Sequence, residues 1–182
     1  MPLRFPMLAA AALTVLAASP IAAKNPMVGG AAMYPTRNIV QNAVNSKDHT
    51  TLVAAVTAAG LVDTLSSKGP FTVFAPTNAA FAKLPAGTVE TLVKPENRGT
   101  LTSILTYHVV PGRVLAADIE ASAAANNGVA TLATVQGGQL SFRKSGSGWM
   151  VTDSKGGSAN ITIANVIQSN GVIHVIDSVL MP

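Results

Sequence analysis

The chain reads as an α+β fold, with helices through its first two thirds and a β-meander at its end. Two observations predict this. Apolar residues recur at helical spacing from Ile39 to Leu65 and again from Leu101 to Leu105. After Gly128 the pattern changes to short runs of β-branched residues separated by GG, SGSG, SKGGS and SNG, which are turn sequences. Helices first and strands last argue for helices segregated against one folded sheet. No cysteine occurs in 182 residues, which excludes disulfides, thiolate metal sites and thiol nucleophiles together. Such a chain must hold by packing.

Taken in order, residues 1–23 read as a signal peptide. Arg4 supplies the positive start, Met7 to Ala18 an uncharged apolar stretch, and Ile21-Ala22-Ala23 a small-residue cleavage site. The apolar stretch is shorter than the roughly 18 residues that span a bilayer, so no transmembrane segment is expected after cleavage. Residues 24–35 are small, polar and Gly/Pro-containing, and read as a flexible lead-in. Residues 36–182 then form one domain, long enough for a sizeable core.

Ile39, Val40, Ala43 and Val44 predict one helix; Leu52, Val53, Val56 and Ala59 predict another that Gly60 ends. Leu61, Val62 and Leu65 add a short one, broken at Gly69-Pro70. Phe71-Thr72-Val73-Phe74 is a strand that Ala75-Pro76 closes, because proline lacks the N–H that a ladder needs. Thr77 or Asn78 then caps a helix whose Phe81 points back at the sheet. Thr88 caps a further helix carrying Val89 and Leu92, and Pro95 opens one with Leu101, Ile104 and Leu105 inward. Tyr107-His108-Val109-Val110 reads as a strand, and a short helix surrounds Asp118. Five strands follow from Val129 to Leu180, with Asn170-Gly171 the sharpest turn between them.

Little of this chemistry is catalytic. The three histidines, His49, His108 and His174, share no local face, and alternation along a strand points His174 and Asp177 to opposite sides. Asp177 is expected to accept hydrogen bonds that fix the end of the meander. Gly146-Ser147-Gly148 lies between strands, whereas a nucleophile elbow joins a strand to a helix. Asp118 and Glu120 fall short of the six or more oxygens that calcium takes. No enzyme, cofactor or metal site is expected. The net charge of +4 is spread over dispersed side chains, without the clustered basic face that nucleic acid requires.

Three stretches carry a resemblance. TVFAPTNAAF at residues 72–81, LTSILTYHVVPG at residues 101–112 and NGVIHVIDSVLMP at residues 170–182 resemble, in order, the signature segments of the fasciclin domain family. The chain looks most like its single-domain exported bacterial members, which implies a wedge-like β-sandwich flanked by helices, secreted or periplasmic. Its signature residues would be Phe71, Phe74, Thr77, Asn78, Phe81, His174 and Asp177. The resemblance further implies a non-enzymatic adhesion module that contacts a cell-surface or matrix protein or glycan. In vertebrate matrix members the Tyr-His pair and its branched neighbours are implicated in integrin recognition. Here those positions are Tyr107, His108, Val109 and Val110, with Asn165 and Val166 in the second adhesive segment, and Asn165 stands where an acidic residue would be expected. The alternative for Tyr107 and His108 is an internally hydrogen-bonded junction. A second class of function, implied by pigment-binding members, is a carrier for an apolar ligand such as a carotenoid or lipid. Protein recovered from an exporting host is expected to begin at Lys24, as N-terminal sequencing would show; retention of the first 23 residues would overturn the cleavage assignment.

Overall fold

The computed structural model describes residues 24–182, so the expected signal segment lies outside the described residues. A layer of short helices comes first: α1 (Ile39–Ala43), α2 (Thr50–Ala59) and α3 (Val62–Ser66). Asn38 caps α1 through Gln41 N–H, and Gly60 ends α2 in the left-handed conformation at φ 71°. Strand β1 (Phe71–Pro76) follows, then α4 (Asn78–Ala82), α5 (Thr88–Leu92) and α6 (Arg98–Tyr107). After β2 (Val109–Pro111) and α7 (Ala116–Ala125) the chain finishes as the meander β3 (Val129–Ala133), β4 (Gln139–Ser145), β5 (Gly148–Thr152), β6 (Ser158–Gln168) and β7 (Gly171–Ile176).

The strands form one seven-stranded sheet in the order β2-β1-β7-β6-β5-β4-β3. Its central pair, β1 and β7, is parallel, while the other neighbours run antiparallel. The two ends of the sheet meet where Val135 N–H donates to Val109 O at 2.8 Å, so the sheet curls into a near-barrel. Strand β6 makes the curl possible. It pairs with β5 through Ser158–Asn160 and with β7 beyond Ile161, with register shifts on either side of Ile163. The expected sandwich is therefore a single sheet folded over at β6.

Both faces of β1 are buried, as a central strand with covered faces requires. Val73 and Ala75 pack with Val109, Ile173 and Val175 beneath the N-terminal helices. Phe74 faces the other way, into a core of Tyr107, Ile119, Leu140, Phe142, Val151 and Ile176. The sheet thus separates an aliphatic core under α1–α3 from an aromatic-rich core inside its own fold.

Pro76 is the last residue of β1 and closes it as expected, while two other segments depart from the sequence reading. Phe74 N–H reaches toward β2, to His108 O, and Thr77 N–H toward β7, to Ile176 O; the nitrogen of Pro76 therefore faces the side where β2 has already ended. Thr88 opens α5 from Gly87 and makes no cap hydrogen bond. Residues 24–35, expected as a flexible lead-in, are tied down: Asn25 Nδ2 donates to Ile167 O at 2.6 Å, its Oδ1 accepts from Ile167 N–H at 2.9 Å, and Val28 and Met33 join the core. Composition showed the polarity of that segment but not its distant partner.

Phe74 is fully buried and Phe81 nearly so. Phe74→Ala is expected to cost about 3–5 kcal/mol and Phe81→Ala an amount toward the lower end, read as a fall in urea midpoint. An unchanged midpoint in either variant would contradict its role as a core anchor.

Candidate functional site

The residues expected to meet a partner sit at the C-terminal end of α6 and the start of β2, and the structure turns them inward. Tyr107 is the last residue of α6 and His108 its C-cap, so neither lies in a strand. The Tyr107 hydroxyl donates to Gln139 O at 2.7 Å and accepts from Ser154 N–H at 3.0 Å, with the ring wholly buried. Val109 and Val110 are buried on opposite faces of β2. All four side chains are buried, and those of Tyr107 and His108 are hydrogen-bonded within the fold.

His108 shows why that junction is expensive to disturb. Its Nδ1 faces Ile104 O at 2.8 Å, which requires a proton there, and its Nε2 accepts from Leu180 N–H at 3.0 Å. The ring thereby links α6 to the closing segment in its neutral form. Burial lowers its pKa from 6.5 to about 4, against smaller opposing effects of the Ile104 carbonyl and the Asp153 charge. His174 is held similarly: Nε2 donates to Val114 O at 2.8 Å and Nδ1 accepts from Asn165 N–H at 3.3 Å, while its ring stacks on Phe74. Burial lowers its pKa too, opposed by the Val114 carbonyl.

Asn165 is exposed, but its geometry is structural. It occupies the irregular part of β6 at φ 57°, a left-handed conformation that asparagine tolerates better than most residues, and its Oδ1 accepts from Ala116 N–H at 2.8 Å. Val166 beside it is fully buried. Among the signature residues, Phe71 is half-buried, Thr77 Oγ1 accepts from Ala80 N–H to cap α4, and Asn78 bonds Lys47 O and Thr51 N–H, joining α4 to the start of α2. Asp177 accepts from Asn160 N–H at 2.8 Å and from Asn160 Nδ2 at 3.1 Å. Partial burial would raise its pKa, but these bonds and nearby Lys83 hold the carboxyl below the usual range.

One feature went unread in the sequence. A narrow apolar cleft of about 50 Å³ lies between α1–α3 and the sheet. His49 borders it, buried just before α2, with Nδ1 and Ser46 Oγ 2.8 Å apart. Its Nε2 has no hydrogen-bond partner among the described residues, although the Ala75 carbonyl lies close enough to offset part of the pKa lowering that burial causes. Only the juxtaposition of a lone histidine with Val-rich helices marked it, and spacing alone does not reveal that. No cluster of three His, Asp or Glu among the described residues is placed to hold a metal ion. No described helix is long and apolar enough to cross a membrane.

Comparison with known proteins places this geometry. The family model for the fasciclin domain matches residues 47–182. Protein sll1483 of Synechocystis is 47% identical over 160 residues, covering 87% of this chain and 81% of its own. The cell surface glycolipoprotein MPB83 of Mycobacterium bovis is 35% identical over 167 residues, covering 88% of this chain and 68% of its own. The solved structure of a FAS1 domain pair from the insect cell adhesion molecule fasciclin I matches with a TM-score of 0.70 at 19% identity, over 80% of this chain and 51% of that one. The last likeness is one of fold.

The buried histidines set a pH dependence. Below pH 6.5 the unfolded chain binds protons that the folded chain refuses, so stability falls as pH drops from 6.5 toward 4. His108 alone accounts for roughly 3 kcal/mol of that loss by pH 4, from its shift of 6.5 to about 4. Urea midpoints measured from pH 7.5 to 4.5 are expected to decline steeply, and less so in His108→Asn; a flat profile would mean that these rings are not held neutral.

Proposed function

The chain belongs to the fasciclin domain family, and on that premise we propose that it is a non-enzymatic, exported interaction module that contacts a protein or glycan on a cell surface or matrix. The observation that carries this reading is where the large exposed apolar side chains lie. Of Met27, Tyr34, Val44 and Val135, three belong to the N-terminal segment and the end of α1 that it packs against. All three precede residue 47, where the family match starts. A contact surface here can differ from one member to another without touching the shared core.

Tyr34 is suited to such a contact. Its backbone N–H donates to Asn42 Oδ1 at 3.1 Å, its carbonyl accepts from Asn42 Nδ2 at 2.8 Å, and the Arg37 guanidinium lies 4.9 Å from the centre of its ring. A half-exposed aromatic on a fixed backbone loses little conformational freedom on binding, which is why tyrosine and arginine anchor many interfaces. The names of the relatives, a cell surface glycolipoprotein and a cell adhesion molecule, support a surface role. The burial of Tyr107 and His108 moves the proposed contact away from the junction and onto this strip.

Beads coated with the purified protein are expected to attach to cells of the producing organism, and protease or glycosidase treatment of those cells would tell a protein partner from a glycan. Tyr34→Ala and Arg37→Ala are expected to keep the unfolding midpoint within about 1 kcal/mol of the original, as exposed substitutions do. Each should reduce attachment at least tenfold. Full attachment by folded Tyr34→Ala would refute this surface, and no attachment by the unaltered protein would refute the module.

A further inference from the structure

The charge of the domain is unevenly shared. Arg4 aside, eleven Lys and Arg face eight Asp and Glu, and three of the eleven, Lys24, Arg37 and Lys47, precede the first acid, Asp48. From Asp48 onward the chain balances at eight of each, so the whole excess sits in the segment that carries Met27, Tyr34 and Val44. Folding keeps that segment together. Lys47 N–H donates to Gly29 O at 3.4 Å, and a Cβ on Gly29 would run into Ser46 Oγ, so the turn between Val28 and Ala31 lies on the residues just before α2. Arg37 has a fixed backbone: its N–H donates to Tyr34 O at 3.0 Å, and its carbonyl accepts from Ser169 N–H at 2.9 Å. All three cations are exposed, as are Thr36, Gln41 and Asn45 between them. Gln41 Oε1 accepts from Asn38 N–H and Asn45 Nδ2 donates to Gln41 O, which leaves Gln41 Nε2 and Asn45 Oδ1 without a partner among the described residues.

We propose that this strip binds an acidic polysaccharide whose charge is carried by uronic-acid carboxylates. The inference rests on the strip being the contact surface of the module, and it narrows the partner to one class. A guanidinium is a planar fork that meets a carboxylate with two parallel hydrogen bonds, and Arg37 holds that fork beside an exposed ring. The Tyr34 ring offers an apolar face to a sugar, and the free amide groups of Gln41 and Asn45 match its hydroxyls. Lys24 and Lys47 then take carboxylates farther along the polymer. Three cations ten or more residues apart in sequence suit a chain with one charge per sugar, whereas a nucleic acid needs a clustered basic face. A membrane asks for more apolar surface than Met27 and Val44 supply. Interfacial binding uses a helix with a continuous apolar face, and α1 has only five residues, with Ile39 and Asn42 turned inward.

The test is a calorimetric titration of the purified protein with polygalacturonate, its methyl ester, polyglutamate and vesicles containing phosphatidylglycerol. Saturable binding of polygalacturonate is expected, at least roughly tenfold tighter than that of the ester, which keeps the sugars and lacks the charges. It should weaken at least roughly tenfold when NaCl rises from about 0.05 to about 0.5 M. Arg37→Gln, Lys47→Gln and Tyr34→Ala should each weaken it roughly fivefold, while Lys94→Gln and Lys155→Gln, exposed charges outside the strip, should leave it unchanged. Equal binding of acid and ester, tighter binding of polyglutamate or of vesicles, an equal loss in Lys94→Gln, or no binding at all would each overturn the proposal. No cells enter this assay. Attachment of the protein to cells without binding of polygalacturonate would therefore remove the uronate and leave the interaction module standing.

Discussion

The side chain of Asn170 holds together parts of the chain that packing alone would leave free to slide. Its Oδ1 accepts from Ile39 N–H at the start of α1, and its Nδ2 donates to Leu65 O and Ser67 O at the end of α3. Its own carbonyl accepts from Phe71 N–H, the first residue of β1. Every strong hydrogen-bonding function of a buried amide is thus matched, and each match lies about 100 residues or more away in sequence. Gly171 completes the constraint: a Cβ there would run into the carbonyl of Phe71, so only glycine lets β7 lie against β1. The turn that closes the meander therefore sets the register of the central parallel pair, and with it the seating of the helical layer.

From that pair the rest follows outward. A parallel neighbour cannot be reached by a hairpin, so everything between Pro76 and Gly171 is the connection between β1 and β7, and it supplies side chains to both cores. The return requires β6 to serve both halves, and its irregular stretch leaves Asn165 in a left-handed conformation. The Asn165 N–H there donates to the His174 ring, and its side-chain Oδ1 accepts from Ala116 N–H at the start of α7. Histidines at such joints are neutral and fully engaged. The conspicuous residues of the signature segments thus carry packing and hydrogen bonds within the fold.

This explains which parts were legible in the sequence. Helical spacing and glycine turns are local signals, and the short helices, the five closing strands and the Asn170-Gly171 turn followed from them. The α+β class and the family resemblance rested on the same local signals. What escaped depends on partners far along the chain. The strand expected at Tyr107-His108 is a helix end because His108 finds its acceptor one turn back, at Ile104. The segment before α1 is packed because Asn25 meets Ile167, and His49 is buried between Ser46 on its own turn and Ala75 of β1. None of these meetings leaves a periodicity.

The two cores differ in a way that bears on where such a protein can yield. The inner core is filled by Phe74, Tyr107, Phe142 and Trp149, large rings whose loss leaves large cavities, and it is enclosed by the sheet itself. The outer core, apart from Phe81 and Met33, is built of branched aliphatic side chains and alanine under helices of five and ten residues, and leaves space between them. Short helices draw their stability from packing rather than from their own hydrogen bonds, so this layer is expected to open before the sheet does. Both the exposed strip at Tyr34 and the cleft at His49 lie in that layer. The helical side of the molecule is thus the side that can adjust, while the aromatic side, with its buried neutral histidines, keeps the frame fixed.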